Sequence, residues 1–231
     1  MTHPEPRFSK MAAIIADPTR ARMLAALLGG EYRSAGELAS AAGVTAQAAS
    51  TQLAQLPEHG LIAMRQQGRH KYFCLADGDI ARVLEALSMV AERDNVSLRW
   101  SKPGYQALKH ARRCYGHLAG ELGVAQFEML MRCRILEQAR DGLQLTDSGR
   151  IWLAHLGVEL PGKSGSRLAY PCMDWSERRD HLAGTLARVL LGHYLSQGWL
   201  RAPKDSRELQ LTPKGHSVLL PLLRLAGLAS L

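Results

Sequence analysis

Two segments of the 231-residue chain, residues 109–117 and 171–181, bring together thiol, imidazole, guanidinium and aromatic side chains. A thiolate is a nucleophile and a soft metal ligand, an imidazole exchanges protons or binds metals, and a guanidinium binds anions. This mixture is typical of a site that responds to an effector or to oxidation. The candidate effector or redox residues are Cys114, Tyr115, His117, Cys172, Trp175, Arg178 and His181.

The sequence leaves open what these residues do. In a purely structural interpretation, Asp174 or Ser176 caps a helix, the tryptophan packs, and the histidines bond to the backbone. In a thiol-switch interpretation, basic neighbours favour the thiolate of Cys114, and a helix N-terminus does the same for Cys172. Oxidation to a disulfide or another reversible product would then change the domain.

Two further interpretations involve a bound ligand. A Cys-x-x-His sequence on a helix places Cys114 and His117 on one face, and a second pair, Cys172 and His181, would complete a tetrahedral metal site. Because eight residues separate the second pair, which is not a metal-binding spacing, the sequence assigns no metal ligands and no cofactor. In the last interpretation, aromatic side chains of both segments line a site for an organic anion.

Each of the two segments leads into a copy of an internal repeat. Residues 117–136 align with 181–200 and share HLAG, and residues 143–153 align with 209–219 and share LQLT. Each copy is expected to run helix, helix, LQLT strand, helix, an order that resembles a degenerate winged helix. Since one such unit cannot bury its leucine face alone, the copies are expected to pack together. The predicted repeats are about 109–160 and 172–228.

The N-terminal part of the chain contains several helix-capping signals. Asp17 is suited to the N-cap and Pro18 to the first position of a helix, where its missing N–H would be unpaired in any case. Ser34 and Glu37 have the spacing of a capping box. After a glycine-containing turn, Thr45 is placed to cap a further helix.

Two short capped helices followed by a basic hairpin indicate a winged helix-turn-helix. The recognition helix is predicted at 45–56, and its glutamines suit adenine edges while an alanine suits a thymine methyl. Its hydroxyls suit phosphates, and the hairpin, with its turn at Gln67-Gly68, carries basic residues for the minor groove or the backbone. The predicted DNA-binding residues are Thr45, Gln47, Ala48, Ser50, Thr51, Gln52, Arg65, Arg69 and Lys71.

Roughly residues 8–93 resemble the ArsR-type (arsenic-repressor-like) winged-helix regulators. The resemblance rests on ADPTRARMLAALLGG, on ELASAAGVTAQAASTQLAQLPEHGLI and on RQQGRHKYFCLA. It implies a homodimer, paired through the first and last helices of the domain, that represses from a palindromic operator until a signal releases it. Three features depart from the family. Gln52 stands where the family usually has a histidine, two residues after the recognition-helix serine. Pro57 is expected to end or kink the recognition helix near Leu56, and the family's usual metal-binding thiols and histidines are missing from 34–38 and 77–93.

Composition places the chain among soluble globular proteins. It is 46% hydrophobic and 22% charged, with a formal net charge of +8, which permits a polyanionic partner. The sequence shows no secretory signal, no membrane span and no disulfide framework, so a cytoplasmic location is expected. It also shows no GxGxxG, P-loop or HExxH motif, so no catalytic activity is assigned.

The predicted fold is mostly α. An N-terminal winged helix-turn-helix for DNA binding and dimerisation is expected over 1–95, a linker over 96–104, and a helical sensory domain made of the two repeats over 105–231. The sequence thus predicts a DNA-binding transcriptional regulator, a homodimeric repressor whose operator binding responds to thiol oxidation or a small ligand. The alternative is a regulator whose C-terminal half is a catalytic or partner-binding module.

Overall fold

The computed structural model describes residues 8–91, 103–140, 142–162, 167–204 and 206–224. The chain forms two compact units, Met1–Ala81 and Arg82–Leu231. The division therefore comes earlier than the expected boundary at residue 95, and most of helix α5 belongs to the second unit. The predicted linker, 96–104, lies outside the described residues except for its last two.

The first unit is a winged helix-turn-helix. Its three strands form one antiparallel sheet in the order β1-β3-β2. Leucines of α2, α3 and α4 form its core together with apolar side chains of the hairpin. Its elements and the helix that comes next are α1 (Phe8–Ile15), α2 (Pro18–Leu27), β1 (Arg33–Ser34), α3 (Ala35–Ala42), α4 (Ala46–Glu58), β2 (Ile62–Gln67), β3 (His70–Leu75) and α5 (Gly78–Ala91).

The capping residues recognised in the sequence set the ends of these helices. The Asp17 carboxylate accepts from the N–H groups of Thr19 and Arg20, both at 2.9 Å. Ser34 and Glu37 form the reciprocal capping box at the start of α3. These caps satisfy backbone donors that a helix N-terminus leaves unpaired, which explains why the helices begin where they do.

The recognition helix ends two residues later than the predicted range 45–56. α4 does not end at Leu56 but continues through Pro57 to Glu58. Proline is tolerated here because the chain leaves the helix one residue after Glu58, so the disturbance is confined to the last turn.

The second unit contains the same order of elements twice: hairpin, helix, hairpin, helix. Each copy thus opens with a β-hairpin, where the sequence suggested a helix. Among the described helices, none combines the length and apolar character needed to cross a bilayer. The elements are α6 (Pro103–His110), β4 (Arg112–Cys114), β5 (His117–Ala119), α7 (Glu121–Arg132), β6 (Leu136–Ala139), β7 (Gly142–Leu145), α8 (Asp147–His155), β8 (Tyr170–Met173), β9 (Asp180–Ala183), α9 (Thr185–Ser196), β10 (Leu200–Arg201), β11 (Gln210–Leu211) and α10 (Pro213–Arg224).

The shared LQLT motifs explain how each copy closes its second hairpin onto the next helix. Thr146 Oγ1 donates to the Arg134 carbonyl at 2.6 Å and accepts from Gly149 N at 2.9 Å. In the second copy, Thr212 Oγ1 accepts from Gly215 N at 3.0 Å. A Cβ on Gly149 would lie 2.3 Å from a backbone oxygen, and one on Gly215 would lie 2.0 Å from another, so both positions require glycine.

Candidate DNA interface and buried cysteine-histidine cluster

The predicted reading surface of α4 is exposed. Five of its six predicted DNA-binding residues are open to solvent, and Gln52 is half-buried. On the opposite face, Ala49, Leu53 and Leu56 are buried in the core. The helix therefore presents one polar face outward, as insertion into a major groove requires. The five exposed residues are Thr45, Gln47, Ala48, Ser50 and Thr51.

The hydroxyl groups of this face are hydrogen-bonded within the helix. Thr45 Oγ1 accepts from Ala48 N at 3.2 Å, and Ser50 Oγ donates to the Ala46 carbonyl at 3.0 Å. The Thr51 hydroxyl, like that of Ser50, donates to the backbone carbonyl four residues before it. A phosphate contact from Ser50 or Thr51 would require the hydroxyl hydrogen to turn away from the helix, whereas Thr45 accepts in its helix contact and keeps its hydroxyl hydrogen available.

Arg20 is a positioning residue that sequence reasoning missed. Its guanidinium donates to Gln52 Oε1 at 2.8 Å and to Gln55 Oε1 at 3.0 Å, and its Nε donates to the Ile14 carbonyl at 2.6 Å. Arg20 thus ties α1 and α2 to α4. Because Arg20 occupies one lone pair of the Gln52 carbonyl, the amide NH2 and the second lone pair of that side chain are left to contact a base from this conformation. In the sequence, the sign of this positioning role is that Arg20 is the arginine of the DPTR motif.

The wing carries its basic residues on different faces. In the β2–β3 register, Arg65 pairs with Tyr72 and Gln66 pairs with Lys71, so Arg65 and Lys71 point to opposite sides of the hairpin. Arg69 lies in the connecting turn, which is Gly68-Arg69 and so one residue later than expected. All three basic side chains are exposed and available to a DNA backbone.

In the second unit, the hairpins β4–β5 and β8–β9 each hold one cysteine opposite one histidine. Cys114 pairs in register with His117 across β4 and β5, and Cys172 pairs with His181 across β8 and β9. Residues directly opposite in an antiparallel pair project from the same face. The pairs are therefore equivalent although two residues separate the first pair and eight the second. They lie on strands, where the sequence suggested helices.

The two pairs meet in the interior of the unit. Cys114, His117, Cys172 and His181 each offer one sulfur or nitrogen atom within 4.8 Å of the others. The two imidazole centroids are 5.0 Å apart. Cys114 is 1%, His117 5%, Cys172 6% and His181 0% exposed, so the cluster is shielded from solvent. We call these four residues the Cys/His cluster.

Asp174 supports the cluster from the β8–β9 connection. Its carboxylate lies 3.2 Å from Nδ1 of His181 and accepts from Gly120 N at 2.7 Å and from the Arg112 guanidinium at 2.7 Å. It also accepts from Ser176, so it caps a turn where the sequence suggested a helix. Despite burial, contact with His181 and the charge of Arg112 lower the pKa of Asp174 well below its usual value.

A buried chain of charges continues from Asp174 to α5. Arg112 is fully buried, stacks 4.6 Å from the Trp175 ring centroid, and lies 3.8 Å from the carboxylate of Glu85 on α5. Glu85 is 2% exposed and also accepts from Arg207 at 2.6 Å. Buried ions are tolerated only when they are paired in this way.

The protonation of the cluster is set by its surroundings. A hydrogen bond with Cys172 and burial raise the pKa of Cys114 well above its usual value, opposite to the direction expected from its basic neighbours. Burial and the nearby His181 lower the pKa of His117 well below its usual value. Burial alone would lower the pKa of His181, but its contacts with Asp174 and Cys114 raise it to about 9.

The remaining predicted effector residues are placed differently. Trp175 is buried and packs on Arg112, while Tyr115 is half-buried in the β4–β5 turn with a φ of 47°. Arg178 is exposed on the β8–β9 connection and is not brought to the cluster. A cavity of about 230 Å³, lined by α5 and β8, reaches Cys172.

Comparison with known proteins supports the regulator interpretation. Residues 15–65 match a family model described as a helix-turn-helix domain. The chain is 37% identical over 213 residues to YdfF of Bacillus subtilis (strain 168), named an uncharacterized HTH-type transcriptional regulator, and the match covers 91% of this chain and 94% of that protein. The chain belongs to the ArsR-type winged helix-turn-helix transcriptional regulators. The similarity to YdfF extends beyond the DNA-binding part and covers most of this regulator's second unit.

Shorter relatives match the DNA-binding part alone. The HTH-type transcriptional regulator CmtR of Mycobacterium tuberculosis is 37% identical over 86 residues, covering 37% of this regulator and 72% of CmtR. A crystal structure of Rv0081 from M. tuberculosis is 33% identical, with a TM-score of 0.34, and the similarity covers 39% of this chain and 94% of that one. The similarity to YdfF and CmtR, both named HTH-type transcriptional regulators, shows that the protein is a DNA-binding transcriptional regulator.

Proposed function

We propose that this regulator is a homodimeric repressor that acts in the cytoplasm. It binds a palindromic operator with α4 and the wing, and a signal received at the Cys/His cluster of the second unit changes its operator affinity. The exposed polar face of α4 and the exposed basic hairpin after it in the chain carry the DNA-binding part of the proposal. In a two-fold dimer, the two recognition helices would lie about 34 Å apart, which is one turn of DNA.

Exposed apolar side chains support the dimer. Val83, Leu87 and Val90 are 49%, 48% and 51% exposed, and their spacing places them on one face of α5. Phe8, at the start of α1, is 71% exposed. Apolar patches of this kind are typical of protein–protein interfaces. A second copy of the chain is the proposed partner, in agreement with pairing through the first and last helices of the domain.

The two hairpin-helix-hairpin-helix copies support a duplicated C-terminal unit, in which each copy is a degenerate winged helix without a polar reading helix. Duplication places one Cys-His pair in each copy. A site shared by two copies is well suited to sensing, because a ligand that draws the hairpins together changes the packing of the whole unit.

The test is operator binding by the full-length protein. Fluorescence anisotropy with DNA from upstream of its own gene compares the wild type with a Gln47→Ala/Ser50→Ala variant. We expect the variant to bind roughly 10-fold or more weakly, since a good contact between a side chain and a base edge contributes about 1–3 kcal/mol. A Gln144→Ala/Ser196→Ala variant, which changes the same residue types at exposed positions of the second unit, is the matched control. Unchanged affinity in the first variant would refute the proposal.

A further inference from the structure

We propose that the Cys/His cluster is a binding site for one thiophilic divalent metal ion of the zinc type. Cys114 and His117 provide two ligands from the first hairpin, and Cys172 and His181 provide two from the second. The ion would join the two copies of the repeat. The binding claim stands on this geometry alone, whereas a role of the ion as the regulatory signal rests on the proposed function.

The ligand set and its dimensions fit zinc. Two thiolates and two imidazoles are a common tetrahedral set for Zn²⁺, with bonds of about 2.0–2.3 Å, so the ligand atoms of a filled site lie roughly 3.3–3.8 Å apart. The four candidate atoms already lie within 4.8 Å of one another. Filling the site thus requires small side-chain movements and no rearrangement of the strands.

Unsatisfied imidazole nitrogens point to a missing ligand. Nδ1 of His117 and both ring nitrogens of His181 are buried and make no hydrogen bond of regular geometry with the described residues, although Nδ1 of His181 lies 3.2 Å from Asp174. Buried polar atoms in proteins are nearly always paired, so each unpaired atom calls for an explanation. A metal ion at the centre of the cluster would give the imidazoles the partner that they lack.

Asp174 is placed as a positioning residue. Histidines that bind metals commonly direct their other ring nitrogen at a carboxylate, which fixes the tautomer and the orientation of the ring. Nδ1 of His181 lies 3.2 Å from Asp174, which leaves Nε2 for the ion. The carboxylate is itself held by Arg112 and by Gly120 N, so the supporting contacts exist without the metal.

Charge balance selects a divalent ion. Beside the cluster, the carboxylates of Asp174 and Glu85 are paired with the guanidinium groups of Arg112 and Arg207. A buried centre is then most stable when it is neutral itself. Two thiolates neutralise one divalent ion, whereas a monovalent ion would leave a net negative charge. On binding, the thiols of Cys114 and Cys172 lose their protons to the buffer, together with any proton on the ligating nitrogen of His181, and two S–metal and two N–metal bonds form.

The test is metal binding by the full-length protein under anaerobic, reducing conditions. Purified protein is stripped with a chelator, loaded with Zn²⁺ and dialysed before metal analysis, and a second sample is titrated with Co²⁺. We expect one Zn²⁺ per chain and the visible d–d bands of tetrahedral, thiolate-bound Co²⁺. Cys114→Ser and Cys172→Ser are expected to weaken Zn²⁺ binding at least 100-fold.

Two further variants make the test specific. Cys133→Ser changes an exposed thiol outside the cluster and is expected to bind metal as the wild type does. His117→Cys offers a third thiolate, so it should keep the ion and strengthen the thiolate-to-Co²⁺ charge-transfer band, a change that a purely structural histidine would not produce. Substoichiometric zinc without tetrahedral cobalt bands, equal loss in Cys133→Ser, or a Cys114–Cys172 disulfide in the anaerobically purified protein would each overturn the proposal.

Discussion

Arg112 donates a hydrogen bond of 2.7 Å to Asp174, and neither side chain is exposed to solvent. Asp174 also contacts His181 of the Cys/His cluster, while Arg112 approaches Glu85 on α5. These four residues form a continuous path from the cluster to the helix that comes directly after the wing in the sequence. A change in the position of His181 therefore has a physical route to α5.

Removing the cation from this path should destabilise the second unit strongly. Arg112→Met leaves the carboxylates of Asp174 and Glu85 buried without their shared partner, and breaking a buried pair on one side costs about 3–5 kcal/mol. Urea unfolding measured by circular dichroism gives the change. Arg140→Met, at an arginine beyond the end of β6 and outside the path, should change the free energy of unfolding by less than about 0.5 kcal/mol. Equal effects of the two substitutions would show that the buried pairing is unimportant.

The basic residues of the wing are expected to bind DNA by neutralising the negative charge of its phosphates. Arg65→Ala, Arg69→Ala and Lys71→Ala are each expected to reduce the slope of log K against log salt by about 1 if the side chain neutralises one phosphate. Binding at several salt concentrations gives these slopes for operator and for unrelated DNA, and both should change alike. Arg134→Ala, at an exposed arginine just after α7, serves as the control. Slopes identical to that of the wild type in all three wing variants would contradict the proposed wing contact.

The apolar face of α5 should hold the dimer. Leu87→Glu places a charge where we expect the second copy to pack, and desolvating that charge would shift the protein to monomers. Sedimentation equilibrium measures the shift, and operator affinity should fall with it. Ile151→Glu alters another exposed apolar residue, 59% exposed on α8, and should leave the dimer intact. A dimer that survives Leu87→Glu but dissociates with Ile151→Glu would place the interface elsewhere.

The glycine of each LQLT-x-x-G motif should be indispensable. Gly215→Ala brings a Cβ to 2.0 Å from the Trp199 carbonyl, so the helix must shift, at a cost of about 1–3 kcal/mol or more. Gly192→Ala is the matched comparison, because a Cβ in the middle of α9 meets nothing within 4 Å and should stabilise the helix by about 0.5–1 kcal/mol. Thermal unfolding of the two variants should move in opposite directions. Equal Tm values would contradict the close approach.

The winged helix was predictable because its signals are local. Asp17, the Ser34–Glu37 box and Thr45 each satisfy backbone groups within three residues, so the helix starts can be read from the sequence alone. The role of Arg20 was not predictable in this way, because its partners on α4 are more than thirty residues distant. The continuation of α4 through Pro57 was not predictable from local signals either, because it depends on the conformation of the residues after Glu58.

The Cys/His cluster could be predicted as a set of residues but not as a geometry. Sequence spacing hides the equivalence of its two pairs, since the β4–β5 connection is two residues long and the β8–β9 connection is six. Cross-strand register is what makes Cys172 and His181 neighbours. A helical interpretation of the segment could not place them together, and the eight residues between Cys172 and His181 led to the expectation of no metal ligands there.

The most direct test of the account is operator affinity measured with and without Zn²⁺, in the wild type and in a Cys114→Ser/Cys172→Ser variant. If the ion is the signal, a saturating concentration should weaken operator binding by the wild type roughly 5–150-fold, the usual range of allosteric coupling, and should leave the variant unaffected. Identical wild-type affinities with and without Zn²⁺, or an equal response in the variant, would contradict the link between the cluster and DNA binding.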